Sequence, residues 1–338
     1  MRGLRLLRCS IVIVAVLLCC ALGMPAAHAV AVRDLYVAAV PVTQRTRDPP
    51  PEAVQAALTA VLVKLTGRRD IASDPSVTEL LANPGAYVQQ MGYTEQGQLR
   101  VGFDPKSLRD YMLARGLPVW GNDRPAVMLW LAVDLAGGSR SIVGADDQSG
   151  VKDALLKVAS ERGLPLQLPL LDAEDLSHLQ FGDIWGGFDQ SLRDATDRYG
   201  ADAMLIGRAA GPALDQLFVR WRLVQGETVE EWQGPILDGI EHATDVLATR
   251  YASTSAGGEQ QLHVSIKGLT SGQAYARVLR YLESLTLVSG VRVERVSGPQ
   301  VEFTLVTMGE AEKLARQLEL SGFLTSDGAG ALAYTYRP

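Results

Sequence analysis

The chain has 338 residues, 47% of them hydrophobic, with 32 basic against 38 acidic residues and a net charge of −6 at pH 7. This length is ample for unstapled cores in two or three domains, and the acidic balance argues against a nucleic-acid partner, which would want a basic face. The three cysteines, Cys9, Cys19 and Cys20, all lie in the first twenty residues, so nothing beyond them can form a disulfide, a zinc–thiolate site or a cysteine nucleophile.

Arg2, Arg5 and Arg8 precede an apolar run from Ile11 to Leu22, followed by Pro25 and Ala27-His28-Ala29. Charged start, short apolar stretch and A-x-A site make a secretory signal with cleavage predicted after Ala29. The run is too short for the ~20 residues of a membrane span. Leu17 and Leu18 precede Cys19 and Cys20, where a lipid-attachment cysteine would follow a small residue. Cleavage would leave about 309 residues without cysteine, with 29 basic against 38 acidic residues and a net charge of −9. The expectation is a periplasmic protein with no integral membrane segment after the signal.

The remaining chain reads as three small units of mixed α/β and α+β class. In the first, residues 30–119, a strand around Asp34–Val42 leads into a helix opened by Pro49, Pro50 and Pro51. Val54, Ala57, Leu58, Val61, Leu62 and Leu65 share one face of that helix, and Gly67 ends it. Asp74-Pro75 opens a short helix stopped by Asn83-Pro84. Tyr87–Tyr93 and Leu99–Phe103 form a hairpin, and Asp104-Pro105 caps another helix.

In the second, residues 124–252, Val127–Val133 is a continuous apolar run, which marks a strand covered on both faces. A helix follows from Val151 to Arg162. Leu164–Leu171 reads as an edge strand weakened by Pro165 and Pro169, Phe188–Tyr199 as a helix, and Ala203–Gly207 as a second buried strand. This alternation implies parallel pairing. Phe218–Val224 and Thr228–Trp232 form a hairpin, with Val219, Trp221 and Leu223 on one face and Arg220 and Arg222 on the other. Arg222 is predicted to lie across from Glu230 or Glu231, a pair worth a few tenths of a kcal/mol. A helix near Gly239–Arg250 closes the unit. Residues 253–260, small and polar, read as a flexible linker. The third unit, residues 261–338, runs β-α-β-β-α-β, the order of a ferredoxin-like sandwich, an architecture that does not fix function.

Catalytic constellations are not evident. His178, His242 and His263 lie outside the signal, none beside a G-x-S-x-G turn, and neither phosphate-loop pattern is present. Asp172, Glu174, Asp175 and His178 crowd together, a set better read as capping acids than as metal ligands. No cofactor and no catalytic residue is implied. Two arginine-bearing places remain as binding candidates. Arg68 and Arg69 follow a helix end, where cations complement the dipole and a local pair with Asp70 competes with anion binding. Trp120 and Arg124 lie in the Pro- and Gly-rich joint between the first two units, as a buried anchor or a partner contact.

Three stretches carry a family resemblance: Val61-Leu62-Val63-Lys64-Leu65-Thr66-Gly67-Arg68, Asn83-Pro84-Gly85-Ala86-Tyr87-Val88-Gln89-Gln90, and Leu117-Pro118-Val119-Trp120-Gly121 leading into Arg124-Pro125 and Trp130-Leu131-Ala132. Together they resemble the proteobacterial domain of unknown function 2066 family. The resemblance implies export in a Gram-negative bacterium and supplies no activity. A shorter passage, Arg198 to Arg208, looks like periplasmic accessory domains of curli-secretion and penicillin-binding-protein-activator type, which bind other proteins. The expected function is a non-enzymatic accessory or scaffold that binds an envelope protein. The alternative is a small-ligand binder or hydrolase using a cleft between the first two units, near Trp120 and Arg124.

Overall fold

A computed structural model describes residues 30–31, 34–255, 258–328 and 332–337. The signal segment and its Ala29 cleavage point lie outside the described residues. The fold is mixed α/β, with helices packed on separate sheets.

The first sheet is antiparallel and three-stranded. Its order is β2 (Val37–Val40), β4 (Leu99–Phe103), β3 (Val88–Tyr93). Helix α1 (Pro51–Thr66) lies on it. All six apolar residues of its predicted face are buried, together with Leu99, Val101 and Phe103 of β4. Gly67 closes the helix at φ 70°, its N–H donating to the Val63 carbonyl at 2.9 Å. A side chain there would collide with Ala248, since a Cβ would sit 2.2 Å from that methyl. Glycine is therefore needed for close approach as well as for the left-handed turn. Helices α2 (Thr78–Ala82) and α3 (Pro105–Ala114) complete the unit, α3 capped by Asp104, which accepts from the Ser107 N–H. A two-residue strand β1 (Val30–Ala31) pairs with β5 (Asp123–Arg124), bringing the start of the described chain to the joint.

The second sheet runs β11 (Thr228–Pro235), β10 (Phe218–Gln225), β9 (Ala203–Gly211), β6 (Val127–Leu135), β7 (Ser139–Val143), with β8 (Leu166–Gln167) also on β6. β6 is parallel to β9 and β8 and antiparallel to β7. As the unbroken apolar run predicts, β6 is covered on both faces. Val127, Leu129, Leu131 and Val133 pack toward α4 (Val151–Arg162) and α8 (Asp238–Tyr251). Met128, Trp130 and Ala132 pack toward α6 (Phe181–Gly186) and α7 (Asp189–Asp197), and α5 (Ala173–His178) lies against α7. The prolines confine β8 to two residues. Strand β7 and helices α5 and α6 are additions to the predicted order.

The third sheet runs β13 (Val288–Ser297), β14 (Gln300–Met308), β12 (Glu259–Lys267), β16 (Ala333–Tyr336), β15 (Leu324–Ser326). Helices α9 (Gly272–Ser284) and α10 (Ala311–Glu319) alternate with its strands. The ferredoxin-like order holds through α10 and is varied at its end. An extra strand, β15, follows α10 and turns back into β16, so β16 runs parallel to β12. A six-element βαββαβ chain would leave its last strand antiparallel to its first, because each helical crossover joins parallel strands.

The segment after α8, expected to be a free tether, is docked at its beginning. Ser253 is fully buried and bridged to Val119, and the Ser255 hydroxyl donates to the Leu113 carbonyl at 2.5 Å. Small side chains allow this tight seat as readily as they allow flexibility. Leu320, at the end of α10, enters the core of the second unit, and the Lys313 ammonium donates to the Ala252 carbonyl at 2.6 Å.

Candidate functional site

Trp120 and Arg124 are both fully buried, so the joint between the first two units is packed solid around them. This removes the predicted cleft at those two residues. Arg124 meets no carboxylate there. Its Nη2 donates to the carbonyls of Lys64 at 2.7 Å and Trp120 at 2.8 Å. Nη1 donates to Gly163 at 2.8 Å and Arg162 at 3.4 Å, and Nε to Gly121 at 2.9 Å. The guanidinium also lies 4.1 Å above the Trp120 ring. Lys64 belongs to the last turn of α1 and Gly163 caps α4. Two helix C-termini, each with partial negative charge and unsatisfied carbonyls, thus converge on one cation. Burial pushes the Arg124 pKa down to about 9, and Tyr36 pulls it back up, so the charge is kept at neutral pH. Gly163 leaves room for it, since a Cβ there would sit 2.8 Å from Nη1.

Arg162 makes a second tie across the same joint. It is 3% exposed, and its Nη2 donates to the Gly67 carbonyl at 2.7 Å and to Asp245 at 2.5 Å, while Nη1 pairs with Glu241. Arg69 reaches the same two acids, Asp245 at 3.1 Å and Glu241 at 3.8 Å. Arg68 forms the predicted local pair with Asp70 at 3.1 Å and adds Asp74 at 2.8 Å. Hydrogen bonds donated to these acids raise the Arg68 pKa, Asp70 contributing most. Arg68 and Arg69 line a groove of about 500 Å³ shared with Thr66, Gly67, Asp245 and Lys313. Each cation in that groove is engaged by a carboxylate or carbonyl of the chain itself.

The acidic cluster near His178 is also structural. Asp172 caps α5 by accepting from the Glu174 and Asp175 N–H groups. Arg198 takes both of its oxygens, at 2.7 and 2.6 Å, and reaches Asp175 at 2.9 Å. Arg198 first, then the Asp175 N–H, hold the Asp172 carboxyl well below the usual carboxylate range. His178 is exposed at the helix end. Among the described residues no group of three or more His, Cys, Asp or Glu side chains is poised for a metal. His242 rests against the Trp232 ring at 4.5 Å, and His263 is shared between Thr304 and Glu294, each at 3.2 Å.

A different surface stands out on the second sheet. Helices α6 and α7 cover β6, part of β9 and the Arg222–Val224 end of β10 on one face, and the Phe218–Arg220 end of β10 contributes nothing to that core. There the alternation of β10 turns Phe218, Arg220 and Arg222 outward, opposite the buried Val219, Trp221 and Leu223. Register sets Arg220 directly across from Arg208 of β9, and Phe218 across from Ala210. Arg222 forms the predicted pair with Glu231 at 2.9 Å, and Asp189 takes its two Nη groups at 2.8 and 3.2 Å. Arg208 makes one donation, to the Trp185 carbonyl at 3.2 Å. The Arg220 side chain has no hydrogen-bond or ion-pair partner among the described residues. Trp185, stacked on Phe181 with centroids 5.3 Å apart, borders a recess of about 260 Å³ that it shares with Arg208, Ala210, Phe218 and Arg220. Phe218 is 54% exposed and nearby Phe188 is 59% exposed.

The alternation of β10 puts Arg220 on this face without marking it as a site. The signal that was available is Phe218 on the polar side of an alternating strand, beside an arginine whose partner strand also carries an arginine.

A family profile described as "Domain of unknown function (DUF8605)" matches residues 29–121. This corrects the resemblance to the domain of unknown function 2066 family, which is a different domain. The physical reason lies in the motifs used. Val61, Leu62 and Leu65, like Leu117, Val119 and Trp120, are buried residues around a helix end and a joint, where the apolar pattern is set by packing rather than by a shared site. No curated protein matches the chain.

Proposed function

We propose that this chain is an exported, non-catalytic binding protein that engages an envelope protein through the open part of its second sheet. The observation that carries the reading is the Arg208–Arg220 pair. Like charges directly opposite on neighbouring strands are destabilising, and the pair stands beside Trp185 and Phe218 with no carboxylate bonded to either arginine among the described residues. Arginine and aromatic side chains are the residues on which interface energy concentrates. The ties at Arg124 and Arg162 make the first two units a firm support for that face. Among the described residues no helix is long and apolar enough to cross a membrane. Periplasmic location rests on the signal pattern alone.

A second reading keeps the 500 Å³ groove beside Arg68 and Arg69, whose volume suits a small ligand. Its cations already have partners within the chain, which weighs against it.

The test is made in cells. A photoreactive residue replacing Phe218 should crosslink to one envelope protein, identified by mass spectrometry, while the same residue at an exposed site such as Glu227 should not. N-terminal sequencing of the extracted protein should begin at Val30. A cytoplasmic protein retaining its first 29 residues, or no adduct from position 218, would overturn the reading.

A further inference from the structure

The uncovered sheet face also constrains the chemistry of its partner, an inference that rests on the binding role just proposed. Three arginines project from it, and the chain treats them differently. Arg222 is neutralised from within by Asp189 and Glu231. One strand step away, Arg208 and Arg220 face one another with a single carbonyl between them as acceptor. A guanidinium presents five donors in a fixed fork matched to carboxylate. The arrangement around Arg222 therefore shows, on the same surface, what Arg208 and Arg220 lack.

Size narrows the occupant. The recess between Trp185 and Phe218 is about 260 Å³, below the roughly 300–1,000 Å³ of pockets for drug-sized ligands. It suits one or two side chains. A second recess of about 290 Å³ is lined by the same two arginines with Arg222, Glu231, Trp232 and Gln233. The two recesses flank the arginine pair, so the concave surface continues across β9, β10 and β11. Charge narrows it further. Asp189 and Glu231 border the pair and the whole chain carries −6, a setting that repels a polyanion such as nucleic acid and accepts an isolated carboxylate.

We propose that this face binds an extended segment of a partner protein in which carboxylates are spaced by apolar side chains, with one Asp or Glu bridging Arg208 and Arg220 and an adjacent aromatic or aliphatic side chain seated between Trp185 and Phe218. The carboxylate removes the repulsion between the arginines. The apolar neighbour covers rings that are otherwise exposed to water.

The probe is a short peptide of alternating Glu and Phe, titrated against the purified protein. It should bind, and more weakly as salt is raised. The Gln–Phe counterpart should bind at least ~10-fold more weakly, about 1.4 kcal/mol. Arg220→Glu should reduce Glu–Phe binding by a similar factor with melting temperature preserved, and should gain binding to a Lys–Phe peptide. Arg220→Gln serves as a second variant if the charge reversal perturbs folding. Equal binding of the Glu and Gln peptides would overturn the proposal. So would free glutamate or duplex DNA binding as tightly as the peptide, or a self-association that Arg220→Glu abolishes, which would make a second copy the occupant. In cells, crosslinks from position 218 that persist in Arg220→Glu would keep the binding role and sink the carboxylate. Absence of any crosslink would sink the binding role itself.

Discussion

Arg124 and Arg220 are the same side chain in opposite settings. At the joint, Arg124 is completely buried and its donors go to five carbonyls, several of them at helix ends that need a donor. On the sheet face, Arg220 stands exposed and opposite another arginine. Burying a cation is expensive unless its hydrogen bonds are made, so the joint can exist only as a finished network. Exposed charge is inexpensive to leave open, so the sheet face can carry an unfinished one. Satisfaction of donors, rather than residue type, separates architecture from a surface available to others.

The comparison breaks most readily at the joint. Arg124→Ala would leave several buried carbonyls without donors and a cavity against Trp120. We expect a loss of about 4 kcal/mol, measured as a shift of the urea midpoint. An unchanged midpoint would mean the network is dispensable. Arg162→Met should lose less, about 2–3 kcal/mol, because Glu241 and Asp245 keep Arg69 and partial access to water.

A smaller effect concerns Asp202, whose carboxyl accepts from the Ala126 N–H at 2.7 Å beneath the joint. Burial pushes its pKa up from 3.8 to about 6, and that N–H pulls it partly back. A carboxyl raised in the folded state loses stability as pH climbs through that window, because the unfolded chain releases its proton first. Relative to Asp202→Asn, the native protein should therefore be more stable at pH 4 than at pH 7, by roughly 1 kcal/mol after screening. A constant difference across that range, seen in paired thermal melts, would remove the assignment. Smallest of all is Arg220→Glu, which should leave stability unchanged or raise it by a few tenths of a kcal/mol through pairing with Arg208. A loss above about 1 kcal/mol would show that Arg220 is structural after all, and would erase the contrast with Arg124.

Much of the fold is legible in the pattern of residues. The six apolar positions of α1, the unbroken run of β6 and the alternation of β10 each specify burial on the faces observed. What escapes has weak local signals. The residues of β7 are largely exposed, so no alternation marks them, and α5 and α6 are six residues each, too short for a helical stripe. The candidate site was less legible. Arg68 and Arg69 stand out in the sequence as neighbouring cations, yet the acids that occupy Arg69 come from a helix whose Asp245 is 176 residues away. Arg208 and Arg220 lie in separate strands, and only the register of β9 against β10 makes them face one another.

The Arg124 network also bears on the order in which the chain can mature. The residues matched by the family profile end at 121, before the arginine whose guanidinium caps the last turn of their own helix. That guanidinium lies 60 positions beyond Lys64 and must in turn await Gly163, 39 positions further on. As the polypeptide emerges N-terminus first, its opening domain therefore remains incomplete until much of the next has appeared. The segment that matches the profile is shorter than the segment whose buried hydrogen bonds close within itself. A holding chaperone would meet the longer of the two.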